Sequence, residues 1–243
     1  MTKLVHISDL HTGYSHFRKD ILLKTIKEIN EMKPAAVIIT GDLTDNGFYN
    51  EFIQAKKYID MIKPKKIIVP GNHDARNIGY EIFEELFGES HSVLELKNEA
   101  IKIIGLDSSE PDIGHGKIGR IQRRFMEKEL ADANERGLFT IIALHHHIIP
   151  IPHTGRERNI LSDAGDILLT VLQNNVNIVL SGHKHVPHIW KMNNTLFTTA
   201  GTVSSMKLRG NIPPSYNVID INNPHIEITL HNSDETIKHL TPP

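Results

Sequence analysis

The 243 residues contain no cysteine. That absence excludes disulfides, thiolate metal sites and thiol nucleophiles, so any metal must rest on Asp, Asn and His. A dominant charge is missing too: 27 basic residues stand against 29 acidic ones, for a formal net charge of -2. So balanced a chain carries no global electrostatic footprint for nucleic acid or an acidic membrane surface. No apolar run approaches the length that spans a bilayer. Met1-Thr2-Lys3 leads directly into Leu4-Val5-His6-Ile7, without the long apolar core of a secretion signal. The expectation is a cytoplasmic protein with no membrane partner. No linker or low-complexity stretch divides it, so residues 1–243 are read as one domain. A homo-oligomer is compatible with this composition.

What is present is a regular alternation of helical and strand patterns. Leu4 to Ser8 reads as a buried strand. Ile21, Leu22, Ile26, Ile29 and Met32 are spaced as one face of a helix that Pro34 ends. Val37-Ile38-Ile39 is the next strand, Asn50 to Ile62 the next helix, and Ile67-Ile68-Val69 the third strand. Consecutive strand–helix–strand units of this kind imply a parallel sheet. The second half repeats the theme, with strands at Ile101–Leu106, Phe139–Leu144 and Val176–Leu180 and helices at Ile121–Leu130 and Ala164–Leu172. Strands alone follow, near 188–192, 195–199, 216–221 and 225–230, with turn signals at Asn193-Asn194 and Asn222-Asn223-Pro224. This order fits an α/β fold, a four-layer α/β/β/α sandwich in which two mixed sheets pack face to face with helices outside.

Sixteen histidines is a high count, and several fall in five clusters that follow apolar runs. These are Asp9-Leu10-His11, Gly41-Asp42, Gly71-Asn72-His73-Asp74, His145, and Gly182-His183-Lys184-His185. Open α/β sheets place their sites at the carboxyl ends of strands, where all five clusters sit. Asp9 and His11, two apart, can share one face of an extended segment. Asp42 offers a carboxylate able to bridge two cations, Asn72 an amide oxygen, and His145, His183 and His185 imidazoles. Such a mixed shell suits two divalent ions, Mn, Fe, Zn, Co or Ni, better than Ca. Two adjacent metals in an open cleft point to phosphate ester hydrolysis. Any one cluster alone is a common turn or a structural histidine. Their conjunction, in order and at strand ends, carries the reading.

The same residues identify a resemblance. The pattern D-x-H, G-D-x-x-D-x-G, G-N-H-[DE], a lone H and G-H-x-H is that of calcineurin-like metallophosphoesterases. Here it reads Asp9-Leu10-His11, Gly41-Asp42-Leu43-Thr44-Asp45-Asn46-Gly47, Gly71-Asn72-His73-Asp74, His145 and Gly182-His183-Lys184-His185. The resemblance implies that one metal takes Asp9, His11, Asp42 and His185, and the other Asp42, Asn72, His145 and His183, with Mn or Fe favoured. It implies that His73 is catalytic, stabilising charge on the phosphate or protonating the leaving oxygen, and that Asp45 holds its ring. A turn or helix-cap role for Asp45 stays open, as does a bracing role for Asp74. His146 is the alternative to His145 in the triplet His145-His146-His147.

Leu106-Asp107-Ser108-Ser109, Gly116-Lys117-Ile118-Gly119 and Ser215-Tyr216-Asn217 resemble the branch holding class III cyclic-nucleotide phosphodiesterases and glycerophosphodiesterases. That branch usually reads His-His-Pro-Pro where this chain has His145-His146-His147-Ile148, so the loop over the site differs. His146, His115, Arg156, Lys207 and Arg209 are candidate substrate contacts, against the ordinary reading of surface cations as solvated. The expected activity is hydrolysis of small phosphodiesters, cyclic nucleotides first, by in-line attack of a hydroxide held between the metals. The alternatives are a phosphomonoesterase, a nucleotide-conjugate pyrophosphohydrolase, a nuclease or a non-catalytic scaffold; the missing basic groove argues against nucleic acid as substrate.

Overall fold

The computed structural model describes residues 1–154, 160–209 and 212–243. In the first half, β1 (Thr2–Ile7), α1 (Lys19–Met32), β2 (Ala36–Thr40), α2 (Tyr49–Ile59) and β3 (Lys65–Val69) alternate as expected. β1 pairs in parallel with β2 and β2 with β3. Leu22, Ile26 and Ile29 line the buried face of α1, and Lys33 stops the helix in the left-handed conformation at φ 51°. Pro34 disfavours the helical conformation in the residue before it, which places the stop there.

Next come α3 (Gly79–Phe87), β4 (Ser92–Leu96), β5 (Ile101–Gly105), α4 (Gly119–Glu135), β6 (Phe139–Ala143), α5 (Ala164–Gln173) and β7 (Ile178–Ser181). Five strands close the chain: β8 (His188–Met192), β9 (Thr195–Thr199), β10 (Ser215–Asn222), β11 (His225–Asn232) and β12 (Ile237–His239). They form two six-stranded mixed sheets, ordered β12-β11-β10-β1-β2-β3 and β4-β5-β6-β7-β9-β8. Asn193 turns the β8–β9 hairpin with φ 53°. The sequence reading did not anticipate α3, β4 or β12, and it ended α4 too early.

Alternation along the strands divides the core. Leu4, Ile38 and Ile67 meet Ile103, Ile141 and Ile178 between the sheets. Val5, Ile7 and Ile39 face Leu22, Ile26, Phe52 and Phe83 of the helices outside the first sheet. Ile104, Ile142 and Val179 face Met126, Leu130, Ile167 and Val171 of α4 and α5. Strands buried on both faces carry apolar residues on both, which is why Val37-Ile38-Ile39, Ile103-Ile104 and Ile141-Ile142 read as short apolar runs. Each such buried aliphatic side chain contributes about 1.5–3 kcal/mol relative to exposure. The result is a rigid double sheet whose strands β1, β2, β3, β6 and β7 end on one edge.

Candidate metal centre

Five loops leave that edge, and main-chain hydrogen bonds tie them together. Asp9 N–H donates to the Gly41 carbonyl (3.0 Å), His11 N–H to Asp42 (2.9 Å) and Gly182 N–H to His145 (2.9 Å). A side chain at Gly182 would collide with Ser8 and Asp9, and one at Gly71 with Asp42. Glycine is therefore what lets the loops close on one another.

The expectation that Asp9 and His11 lie along an extended segment is not met. Asp9 (φ 57°), His11 (φ 52°), Asp42 (φ 50°), His183 (φ 74°) and His185 (φ 56°) all take left-handed backbone conformations. Between the first two, Leu10 is turned into the core. Non-glycine residues in this region cost on the order of 1–3 kcal/mol where strained, and they concentrate at functional sites.

These turns bring the predicted donors together. Asp9, His11 and His185 place one ligand atom each within 4.8 Å of one another, and so do Asp42, His145 and His183. His11 Nε2 and His185 Nε2 face each other at 3.0 Å, and His185 Nε2 lies 3.1 Å from Asp9 Oδ1. His183 Nδ1 lies 2.9 Å from Asn72 Oδ1 and 3.3 Å from His145 Nε2. Asp42 Oδ2 sits between the groups, 3.7 Å from His11 Nε2 and 3.3 Å from His145 Nε2. His73 also approaches His11 and Asp42.

Ring orientation is fixed from behind. His145 Nδ1–H donates to the Thr40 carbonyl (2.7 Å) and His185 Nδ1–H to the Lys207 carbonyl (2.7 Å). Each bond turns Nε2 into the cluster and, in the neutral ring, leaves it a lone pair there, the arrangement a metal-binding imidazole requires. Asp9 Oδ1 is buried without a hydrogen-bond partner. An orphaned buried carboxylate oxygen is costly unless a cation meets it.

The electrostatics agree. Burial acts to raise the Asp9 pKa, but the imidazoles of His185 and His11 outweigh it and hold the carboxyl well below its usual range. Asp42 is likewise held low against burial, chiefly by His145 and His73. Burial acts to lower His11 and His145, yet Asp45, Asp9 and Asp42 push His11 up to about 10, and Asp42 and Asp9 push His145 up to about 9. The cluster's field draws positive charge, and protons answer to it where no cation does.

Among the remaining predicted residues, His73 Nδ1–H donates to the Asp45 carbonyl oxygen (2.6 Å), and Asp45 Oδ1 stands 3.4 Å from the same nitrogen. Asp45 thus meets the ring through its main chain as well as its carboxylate. Asp74 braces the loops: it accepts from the N–H groups of Leu43, Thr44 and Gly71 and from the Thr44 hydroxyl. Burial and the nearby Asp42 charge push its pKa up to about 6. His145, not His146, faces the donors. His146 is fully buried, its Nδ1 2.9 Å from Ser108 Oγ and its ring beside His183, which is a supporting position behind the cavity. His115 is exposed, 3.8 Å from Glu110, next to the cavity-lining Gly114. Arg156, with the neighbouring Arg158, lies outside the described residues.

A cavity of about 390 Å³ opens over Asp42, Asn72, His73, His183 and His185. Lys207 and Arg209 line it, and so does Arg76, which the sequence reading missed. A lone arginine three residues past a histidine motif carries no signal that separates it from a solvated surface cation.

A family model described as calcineurin-like phosphoesterase matches residues 2–187. A cAMP/cGMP dual specificity phosphodiesterase of Mycobacterium tuberculosis is 30% identical over 202 residues, covering 75% of this chain and 61% of that protein. A probable glycerophosphodiester phosphodiesterase of Arcobacter nitrofigilis is 32% identical over 163 residues, 61% of this chain and 58% of its own length. The chain thus spans about three fifths of the length of these two curated relatives. A dimetal phosphatase of Danio rerio shares the fold with a TM-score of 0.72 at 13% identity, covering 100% of this chain and 99% of that one. The family match runs through every loop that gathers these side chains, and the chain belongs to the calcineurin-like phosphoesterase family.

Proposed function

We propose that the chain is a phosphodiesterase that depends on two divalent metals and hydrolyses small phosphodiesters, cyclic nucleotides foremost. The observation that carries this reading is the tautomer control at the cluster. His145 and His185 are each pinned through Nδ1 on a main-chain carbonyl and turn Nε2 toward a buried carboxylate, where a cation can replace a proton. Asp9, His11, Asp42 and His185 would hold one ion, and Asp42, Asn72, His145 and His183 the other, with Asp42 shared. The mixed nitrogen and oxygen shell favours Mn or Fe and admits Zn, Co or Ni. When bound, such a pair supplies Lewis acidity at the phosphoryl oxygens and a strong nucleophile at neutral pH.

The chain's own residues do the rest. His73 is anchored through Nδ1, so Nε2 is the atom it has for substrate, and in its protonated form it donates from there to the leaving oxygen. Asp45 keeps the ring in place. Lys207 and Arg209 on the cavity rim attract an anionic substrate. Relatives named as cyclic-nucleotide and glycerophosphodiester phosphodiesterases support the diester class.

Turnover of bis-p-nitrophenyl phosphate and p-nitrophenyl phosphate with Mn, Fe, Zn, Co, Ni and Mg tests the reading. Metal-dependent turnover with the diester preferred is expected. A strong preference for the monoester contradicts it, and so does inactivity with every metal.

A further inference from the structure

We propose that Arg76 is a phosphate-binding residue of this site, gripping a non-bridging oxygen of the substrate on the His73 side. The proposal rests on the phosphodiesterase reading for its substrate class and on Arg76's own surroundings for its chemistry. Arg76 is half-buried and lines the cavity. Its Nη1–H donates to the Asp45 carbonyl (2.9 Å) and its Nη2–H to His73 Nε2 (3.2 Å). Both acceptors are uncharged. Among the described residues no carboxylate forms a salt bridge with it, although arginine elsewhere in the chain does so, at Arg18, Arg123 and Arg136. A partly desolvated guanidinium with only neutral acceptors has unused capacity for an anion, and its planar fork matches phosphate oxygens.

The contact with His73 adds a consequence. His73 Nδ1–H is engaged by Asp45, so Nε2 accepts from Arg76 and is covered by it. When Nη2 turns to a phosphate oxygen, Nε2 is uncovered toward the same substrate and is free to take up the proton that its acid role requires. Arg76 therefore couples arrival of the anion to exposure of the catalytic nitrogen.

The test is calorimetric binding of inorganic phosphate to manganese-loaded protein, wild type against Arg76→Ala and Arg76→Gln. Glutamine keeps a polar donor and most of the side-chain bulk but lacks the charge, and it serves if the alanine variant fails to fold. Phosphate affinity is expected to fall fivefold or more in the variants at unchanged metal content, with guanidinium ion restoring part of the lost turnover in Arg76→Ala. A smaller fall in affinity overturns the proposal and leaves Arg76 a loop brace. Phosphate binding is read without turnover, so a wild type inactive on every diester refutes the phosphodiesterase reading while still reporting on Arg76.

Discussion

Two cavities of similar size open at opposite regions of the double sheet. The larger, about 430 Å³, lies among Phe139, Leu196, Ile228 and Leu240 and has Lys191 and His225 as its ionisable groups. The smaller, about 390 Å³, holds Asp42, three imidazoles and three cationic side chains. The first is a gap at the margin of the inter-sheet core, where Leu196 and Ile228 also belong. The second opens onto a cluster that folding alone leaves unsatisfied: beside its lining residue His185, the buried Asp9 Oδ1 has no hydrogen-bond partner, and the His11 and His185 nitrogens face one another at 3.0 Å. Volume does not separate the two cavities. Uncompensated buried chemistry does, because a fold keeps such costs only where a ligand offsets them.

The sharpest way to break this contrast is Asp42→Ala. Changes behind a ligand shell cost about 10–100-fold. Removing the one carboxylate placed between both donor groups is expected to exceed about 100-fold in kcat/KM and to strip bound metal, read by elemental analysis. Retained metal with near-normal turnover would separate the cluster from the activity. His73→Ala comes next. It should keep metal and lose about 10²–10⁴-fold in kcat, the range of a lost acid–base group. Normal turnover would remove His73 from the chemistry.

Much of the contrast was legible in the sequence. Runs such as Val37–Ile39 and 141–144 are apolar on both faces, so they announce a doubly covered sheet and put Asp42 and His145 at its edge. The left-handed turns at Asp9, His11 and Asp42 were not legible, since they depend on main-chain hydrogen bonds between loops, Asp9 donating to the Gly41 carbonyl and His11 to that of Asp42. β12 escaped because its three residues are exposed and held by pairing with β11. α3 left a readable trace, Ile82-Phe83 and Leu86-Phe87 before Gly88, in a stretch that the motif-led reading passed over. Arg76 acquires meaning only from the Asp45 carbonyl and His73 beside it.

A pH series sharpens the same comparison more gently. His11 and His145 are raised in the folded chain to about 10 and about 9. Groups raised on folding contribute stability that is fully present below the ordinary imidazole value of about 6.5 and is lost as pH climbs through the folded values. The metal-free protein should therefore lose thermal stability from about pH 6.5 to 9, while metal-loaded protein, with cations where the protons were, loses less. Apparent metal affinity should rise over the same interval. Parallel melting profiles with and without metal would contradict both. The smallest effect is expected at the far cavity: Lys191→Ala and His225→Ala should leave kcat/KM within about twofold, as surface changes away from a site usually do. A tenfold loss from either would mean that the wrong cavity has been assigned.

The most direct measurement is anomalous scattering from crystals soaked in manganese. Two neighbouring peaks are expected, one ringed by Asp9, His11 and His185, the other by Asn72, His145 and His183, with Asp42 touching both. Crystals with these side chains apart and no peak among them would contradict the paired-metal centre on which the proposed function is built.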